Sequence, residues 1–259
     1  MRTIVLVKHV PDTELPRHLD TATGAIDMSG DNVLDEINSR ALTWALDLRN
    51  AAGGEVIALT MGPKAATESL RAALAIGANE AVHIIIDDAQ PGPDAIASSA
   101  VLAAAIKQIG FDLVVAGDAS TDGSTGAVPA MLAERLGVPH LTYVTAASVA
   151  GQTITATRDG GDVSYELTAD LPAVVSVTEK IAEPKVPGFK GIMTAKRKPR
   201  RTLQLSDLGL DASSLAGGGW TITSVTPKPP RGKGHTITDD GTAAQQITDY
   251  LANLQIIGK

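Results

Sequence analysis

Short apolar runs rich in β-branched residues alternate with longer segments rich in Ala and Leu over residues 1–145, and this alternation constrains the fold most strongly. It is typical of stacked βα units around a mostly parallel sheet. Each run is continuously apolar, so both faces of every predicted strand should be covered by helices. The predicted strands lie at residues 4–7, 56–59, 82–86, 113–116 and 141–144.

The segments between these runs carry apolar residues at helical spacing. A glycine follows each of them, where helices commonly end. The predicted helices lie at residues 35–48, 64–76, 94–109 and 125–136, and the glycines are Gly53, Gly77, Gly110 and Gly137. A last amphipathic pattern, from Ala243 to Leu254, predicts a short C-terminal helix. The fold class is therefore α/β, with a mostly parallel, Rossmann-like doubly wound sheet.

The pattern changes after residue 144. Short alternating segments around Gly151 and Gly160 predict antiparallel hairpins, which we expect to form a second, β-rich layer. From residue 179 to residue 236, Pro and Gly interrupt every periodicity. This stretch is expected to be an extended arm that a partner must cover, because it cannot bury a core of its own.

Composition limits the function classes. The 259 residues include no Cys, which excludes disulfides, thiolate nucleophiles and metal centres held by the chain's own thiols, so redox chemistry needs a borrowed cofactor. The formal net charge of −7 argues against non-specific binding to nucleic acid or anionic membranes. With no secretory signal and no apolar run near the roughly 20 residues of a membrane span, we expect a cytoplasmic protein without direct membrane insertion.

A Gly/Ser/Thr-rich loop at residues 118–126 follows the fourth predicted strand and precedes a predicted helix. Such a loop can bind phosphate, because glycines let the backbone approach and helix starts offer unpaired N–H groups. Asp122 would repel a phosphate, so we expect it to organise the loop through its own backbone bonds. The alternative is that Ser124 or Thr125 simply caps the helix. Spacing alone leaves both interpretations open.

Three further segments follow strands or precede the first helix, where ligands of open parallel sheets bind. They are residues 8–12, 60–63 and 32–36, and each is also compatible with an ordinary turn or cap. The five His residues, including His9 and His235, lack metal-site spacing, and Asp87-Asp88 has no third ligand nearby, so no metal site is expected. No nucleophile is spaced to a base, so no catalytic residue is predicted.

One basic cluster stands out at residues 190–201 of the acidic chain. A solvated tail is the favoured interpretation, a docking patch for acidic partners is the second, and nucleic acid is a distant third because no aromatic stacking residues accompany it. Its members are Lys190, Lys196, Arg197, Lys198, Arg200 and Arg201.

Four of these stretches, taken in order over residues 1–200, resemble the β subunit of electron transfer flavoproteins. The opening strand and turn correspond to VKHVPD at residues 7–12. The second strand and helix correspond to VIALTMGP at residues 56–63 and LRAALAIGA at residues 70–78. The family's adenylate loop corresponds to ASTDGSTG at residues 119–126, and its partner-recognition loop to EPKVPGFKGIMTAK at residues 183–196.

The resemblance implies an adenine-nucleotide-binding type of sheet that holds AMP. The AMP contacts carried over by position are Leu6, Asn32, Val33, Leu34, Asp35, Met61, Asp118, Ala119, Ser120, Thr121, Asp122, Gly123, Ser124, Thr125, Gly126, Ala127, Val128 and Pro129. The last three replace polar residues of the family, which favours main-chain contacts to phosphate there. The docking residues carried over are Phe189, Ile192 and Met193, and Phe189 stands where the family often has Leu.

The resemblance also implies partners and a division of the chain. Residues 1–178 would form the nucleotide-binding core, 179–198 the partner-recognition loop, and 199–259 an arm and helix packing on a larger α subunit that holds most of the FAD. The chain would be an electron carrier rather than a catalyst. Acyl-CoA and other flavin dehydrogenases would donate electrons in fatty acid oxidation, and an acceptor of the electron transfer flavoprotein–quinone oxidoreductase type would receive them.

Two alternatives remain open at this stage. One is a stand-alone adenine-nucleotide-binding sensor or hydrolase-like module that shares the sheet and the loop. The other is a flavin-bifurcating variant that binds a second FAD in the same loop. The residues of the loop do not decide between AMP and FAD.

Overall fold

A computed structural model describes residues 1–21, 23–86, 92–216, 222–226, 228–234 and 236–258. Asp87, Asp88 and His235 lie outside the described residues. The chain divides into two compact units, Met1–Ser224 and Val225–Lys259. No helix among the described residues is long and apolar enough to cross a lipid bilayer.

The described strands and helices follow the predicted alternation. The strands are β1 (Arg2–Leu6), β2 (His9–Pro11), β3 (Asn32–Leu34), β4 (Glu55–Gly62), β5 (Glu80–Ile85), β6 (Leu113–Gly117), β7 (His140–Ala150), β8 (Thr153–Asp159), β9 (Ser164–Asp170), β10 (Ala173–Val177) and β11 (Arg200–Leu203). The helices are α1 (Glu36–Ala52), α2 (Thr67–Ile76), α3 (Ala95–Ile109), α4 (Val128–Leu136), α5 (Phe189–Ala195) and α6 (Ala243–Asn253). All five predicted strands and the C-terminal helix are confirmed.

Nine strands form one sheet in the order β11-β5-β4-β1-β6-β10-β7-β8-β9, and β2 pairs with β3 in a small antiparallel sheet. From β11 to β7 every neighbouring pair is parallel. The chain winds outward from β1 through β4 to β5, and then starts again on the other side of β1 with β6. The sheet is therefore doubly wound, and its switch point lies between β1 and β6.

Helices cover both faces of this sheet, as the continuously apolar strands require. Ile4 and Val5 are both fully buried but point to opposite faces. Val5 joins the core that contains α1 and α2, while Ile4 joins the core that contains α3. Ala41, Trp44 and Ala45 are buried on one face of α1, which is the spacing that predicted the helix.

The prediction of a second, β-rich layer is wrong. Strand β7 is 11 residues long; its first half pairs with β10 in parallel, and its second half pairs with β8 in antiparallel. The predicted hairpins therefore exist, but they extend the main sheet instead of packing on it. Strand β10 was not predicted at all, although its five residues are fully buried and four of them are apolar.

Much of the predicted arm packs on the chain's own core. Strand β11 lengthens the sheet beside β5, and Leu205, Leu208 and Leu215 pack against the core that contains α3. Lys198, expected in a solvated tail, donates hydrogen bonds of 2.8 and 2.7 Å to the carbonyls of Leu74 and Ala78 at the end of α2. The solvated-tail interpretation is therefore wrong for Lys198. The division into a recognition loop at 179–198 and a partner-binding arm at 199–259 stays a prediction.

Candidate functional site

A cavity of about 310 Å³ lies at the switch point of the sheet. Its floor is formed by the carboxyl ends of β1, β4 and β6, at Leu6, Met61 and Gly117. The first residues of α3 and α4, Ala95 and Val128, line it as well. Open α/β sheets bind their ligands at this position, and the volume is within the range of small-molecule pockets.

The loop between β6 and α4 forms one side of the cavity, and its conformation decides between the two interpretations of Ser124 and Thr125. Helix α4 begins only at Val128, and its N-cap residue Ala127 makes no side-chain cap bond. Ser124 and Gly126 have positive φ angles of 50° and 66°, which are outside the α-helical region. The predicted helix start at 125 and the capping interpretation are therefore wrong, because both residues lie in the loop.

This loop presents a row of backbone donors. The N–H groups of Thr125, Gly126, Ala127 and Val128 donate no hydrogen bond to any part of the chain that the structure describes. Successive backbone N–H groups next to a residue with positive φ form a concavity that binds anions, and the start of α4 adds its positive dipole end. Thr125, Gly126 and Val128 line the cavity, so this run of donors lies at the cavity wall.

Two residues from elsewhere in the fold support the loop from behind. Asp35, fully buried at the start of α1, accepts a hydrogen bond of 2.9 Å from the Thr121 N–H through Oδ2, and burial raises the pKa of its carboxyl group. Its Oδ1 has no partner in the described structure. On the other side, a Cβ atom at Gly126 would lie 2.6 Å from the hydroxyl oxygen of Tyr143. Asp35 therefore fixes the loop at Thr121, and Tyr143 leaves little room for a side chain at residue 126.

Asp122 organises the loop as expected, because its Oδ1 accepts a hydrogen bond of 2.6 Å from the N–H of Gly123. The same oxygen lies 2.7 Å from Nζ of Lys8, a contact that the sequence did not indicate. Burial alone would raise the pKa of Asp122, but the hydrogen bond and charge of Lys8, together with hydrogen bonds from Ser120 and Gly123, outweigh it and the pKa is lowered. Asp122 is therefore a paired carboxylate beside the cavity.

The structure brings ten of the eighteen predicted AMP contacts to the cavity wall: Leu6, Met61, Asp118, Ala119, Ser120, Gly123, Thr125, Gly126, Val128 and Pro129. The other eight lie behind or beside it: Asn32, Val33, Leu34, Asp35, Thr121, Asp122, Ser124 and Ala127. Lys8, from the predicted segment 8–12, also lines the cavity, although it was not among the predicted AMP contacts, and Asn38, Asp94 and Ser98 line it without having been predicted. Lys8 and Asp94 have a recognisable signal, because one directly follows a strand and the other caps α3.

A second feature is the segment of residues 179–198, which carries the predicted docking residues. Phe189 is 81% exposed, and Ile192 and Met193 are about half exposed. A Cβ atom at Gly191 would lie only 2.3 Å from the carbonyl oxygen of Ala75, so α5 sits directly on the end of α2. The segment therefore has a fixed backbone and an apolar outer surface.

Within the described residues, no three His, Asp or Glu side chains gather as a metal site requires. The chain belongs to the class of Rossmann-like α/β domains, because it combines their doubly wound sheet with a cavity at the switch point and a donor-rich loop beside it.

Comparisons with known proteins identify the family. A family model described as "Electron transfer flavoprotein domain" matches residues 23–208. The electron transfer flavoprotein subunit beta of Mycobacterium tuberculosis is 44% identical, covering 98% of each chain. The protein of the same name from Bacillus subtilis is 34% identical, again covering 98% of each chain. The caffeyl-CoA reductase-Etf complex subunit CarD of Acetobacterium woodii is 33% identical, covering 98% of this chain and 97% of its own.

The chain therefore belongs to the family of electron transfer flavoprotein β subunits, which confirms the resemblance seen in the four motifs. Membership places it in electron transport as part of a flavoprotein, and a β subunit implies an α subunit as its partner.

Proposed function

We propose that this chain binds AMP in the switch-point cavity as a structural nucleotide and, with its α subunit, forms a heterodimer whose FAD is held mainly by that subunit. The heterodimer accepts electrons from acyl-CoA and other flavin dehydrogenases during fatty acid oxidation. An acceptor of the electron transfer flavoprotein–quinone oxidoreductase type then receives them. The observation that carries the nucleotide proposal is the row of unpaired backbone N–H groups at residues 125–128, three of which belong to residues that line the cavity, in a chain of this family.

The residues of the cavity suit the two ends of AMP. The N–H groups of Thr125 and Gly126 would bind the phosphate, with the Ser120 hydroxyl beside them. Leu6 and Met61 offer an apolar surface for the adenine ring. Because the phosphate contacts come from the backbone, the loss of the family's polar side chains at residues 127–129 does not prevent binding.

The volume supports AMP over a second FAD. At about 310 Å³ the cavity is at the small end of ligand pockets, which span roughly 300–1,000 Å³. A dinucleotide needs considerably more room than a mononucleotide. The FAD of the α subunit supplies the electron-carrying chemistry, while this chain contributes a rigid support and a docking surface.

The docking surface that we propose for the dehydrogenases is the apolar side of the 179–198 segment. Large apolar residues that project from a fixed backbone are the usual anchors of protein interfaces. Phe189, Ile192 and Met193 provide them here. A phenylalanine anchor requires a pocket of different shape from one that accepts the leucine common in this family.

Nucleotide content tests this function. The full chain is coexpressed with its α subunit, the purified complex is denatured, and the released nucleotides are separated and counted. We expect FAD and AMP in equal amounts. Two FAD molecules per heterodimer, without AMP, would assign the cavity to a second flavin. FAD equal to the complex with no adenylate would overturn the AMP proposal.

A further inference from the structure

Lys8 occupies a fixed position at the rim of the cavity. It lies two residues beyond the end of β1, its N–H donates a hydrogen bond of 2.8 Å to Oδ1 of Asn38, and its carbonyl accepts one of 3.0 Å from the N–H of Asp35. Both backbone groups are therefore tied to α1 and to its N-cap residue. The side chain consequently leaves the sheet at the switch point and lines the cavity.

The charges around the cavity make this lysine unusual. Of the described residues that line the cavity, Lys8 alone is basic, whereas Asp94 and Asp118 are acidic. Asp122, in direct contact with Lys8, adds a third carboxylate at the edge. Backbone N–H groups carry only partial charges, so among the described residues that line the cavity Lys8 supplies the one full positive charge that a phosphate group could meet.

The ammonium group of Lys8 retains donor capacity. Its Nζ lies 2.7 Å from Oδ1 of Asp122 and 3.4 Å from Oγ of Ser120. A lysine ammonium has three N–H donors, so these two contacts leave one donor unused. The same nitrogen lies 3.9 Å from the position that a Cβ atom at Gly123 would occupy. It is thus held against the loop that carries the unpaired N–H groups.

We propose that Lys8 determines the preference of this cavity for a phosphorylated nucleoside over the bare nucleoside, by donating its remaining N–H to the phosphate while it neutralises Asp122. The inference rests on the proposed nucleotide function and gives a role to Lys8, which lies in the opening motif at residues 7–12 but was not among the AMP contacts that the resemblance implied. Lys8 is a specificity-determining residue in this scheme, and the apolar floor binds the base whether or not the phosphate is present.

A purely structural role for Lys8 has different consequences. If Lys8 only compensates the charge of Asp122, then removing both charges together should restore binding. If Lys8 contacts the phosphate, the double variant should still bind adenosine but should not recover the preference for AMP. A double-variant cycle therefore separates the two roles.

The test is isothermal calorimetry on the full chain, freed of copurifying nucleotide, with AMP and adenosine as the two probes. The variants are Lys8→Met and the double variant Lys8→Met/Asp122→Asn. Lys64→Met is the control, because Lys64 is an exposed lysine after β4 that does not line the cavity. We expect both Lys8 variants to lose about 10-fold or more of the AMP affinity, as for a hydrogen bond between charged groups, with adenosine affinity little changed. The control should keep both affinities.

Three results would overturn the proposal. The first is unchanged AMP affinity in Lys8→Met, and the second is a full recovery of the AMP preference in the double variant. The third is equal affinity of the unmodified chain for AMP and adenosine. If the unmodified chain binds neither compound, the nucleotide function itself fails, which is a different outcome from a chain that binds AMP without using Lys8.

Discussion

The loop at residues 118–127 and the segment at residues 179–198 are both rich in small residues or Pro. The loop nevertheless presents its backbone to a ligand, whereas the segment presents its side chains. In the loop, side chains such as that of Asp122 bond to the loop itself, and backbone N–H groups are left unpaired for a ligand. The segment ties its backbone to α2 and offers side chains such as Phe189. A backbone-built site should be sensitive to changes in φ, whereas a side-chain-built surface should be sensitive to truncation.

The largest effect is expected from Gly126→Ala, with Gly137→Ala as its matched control. Both glycines have a positive φ, 66° and 69°, so each substitution introduces similar backbone strain of about 1 kcal/mol. Only the Cβ atom at Gly126 meets a neighbour, the Tyr143 hydroxyl at 2.6 Å, while the one at Gly137 meets nothing within 4 Å. Because Tyr143 is 45% exposed, its hydroxyl can move aside, so the further loss of stability should stay below about 1 kcal/mol and the main effect should be a lower AMP affinity as the N–H groups are displaced. Denaturant unfolding and calorimetry with AMP measure both effects.

The contrast between the two glycines also shows how this prediction could fail. Equal AMP affinity in the two variants would mean that the conformation of the loop does not control binding. In that case the side chains of the cavity, rather than its backbone, would have to provide the phosphate site.

Sequence alone predicted most of the fold, because a continuously apolar run has few alternatives to a buried parallel strand. It missed β10, because this short apolar run follows two hairpins and was not distinguished from their alternating segments. It also placed the start of α4 at residue 125, since a Ser/Thr pair before a helix is normally a cap. The positive φ of Ser124 has no signal in the sequence, because Ser rarely adopts this conformation.

The sequence predicted which segments meet at the candidate site, but not which side chains from distant segments contact each other there. The loop was found from its composition, whereas Lys8 reaches Asp122 across 114 positions of sequence, and only the parallel pairing of β1 with β6 brings them together. Half-buried contacts between distant segments are therefore the part of the site that could not be predicted from the sequence.

A smaller effect is expected from Phe189→Ala in the 179–198 segment. The side chain is largely exposed, so its truncation should leave the free energy of unfolding within about 0.5 kcal/mol of the original value. As a central anchor it should cost about 2 kcal/mol in binding to an acyl-CoA dehydrogenase, which is roughly 30-fold in affinity. Surface plasmon resonance on the heterodimer measures this affinity.

Val163→Ala is the control for this experiment, because Val163 is a half-exposed apolar residue between β8 and β9. Its truncation should leave dehydrogenase binding unchanged. Equal losses in the two variants would show that the 179–198 segment has no special part in docking.

The smallest effect concerns pH and the side of the sheet that carries the 179–198 segment. His83 is buried in β5, opposite Thr202 of β11, with ring nitrogens 3.2 Å from Oγ1 of Thr67 and from the carbonyl of Gly62. Burial lowers the pKa of His83 below its ordinary value of 6.5. Around and below pH 6.5, the ordinary pKa, the unfolded chain binds more protons than the folded one. The free energy of unfolding should therefore decrease as the pH falls from 7 toward 5, by at most about 1.4 kcal/mol per pH unit.

His83→Gln should reduce this slope, because glutamine has no group that titrates in the range. The slope should not vanish, since burial also lowers the pKa of His9. Denaturant unfolding at pH 5, 6 and 7 measures it, with His18→Gln, a change at an exposed histidine, as the control. An unchanged slope in His83→Gln would mean that the β5–β11 edge tolerates a charged His83.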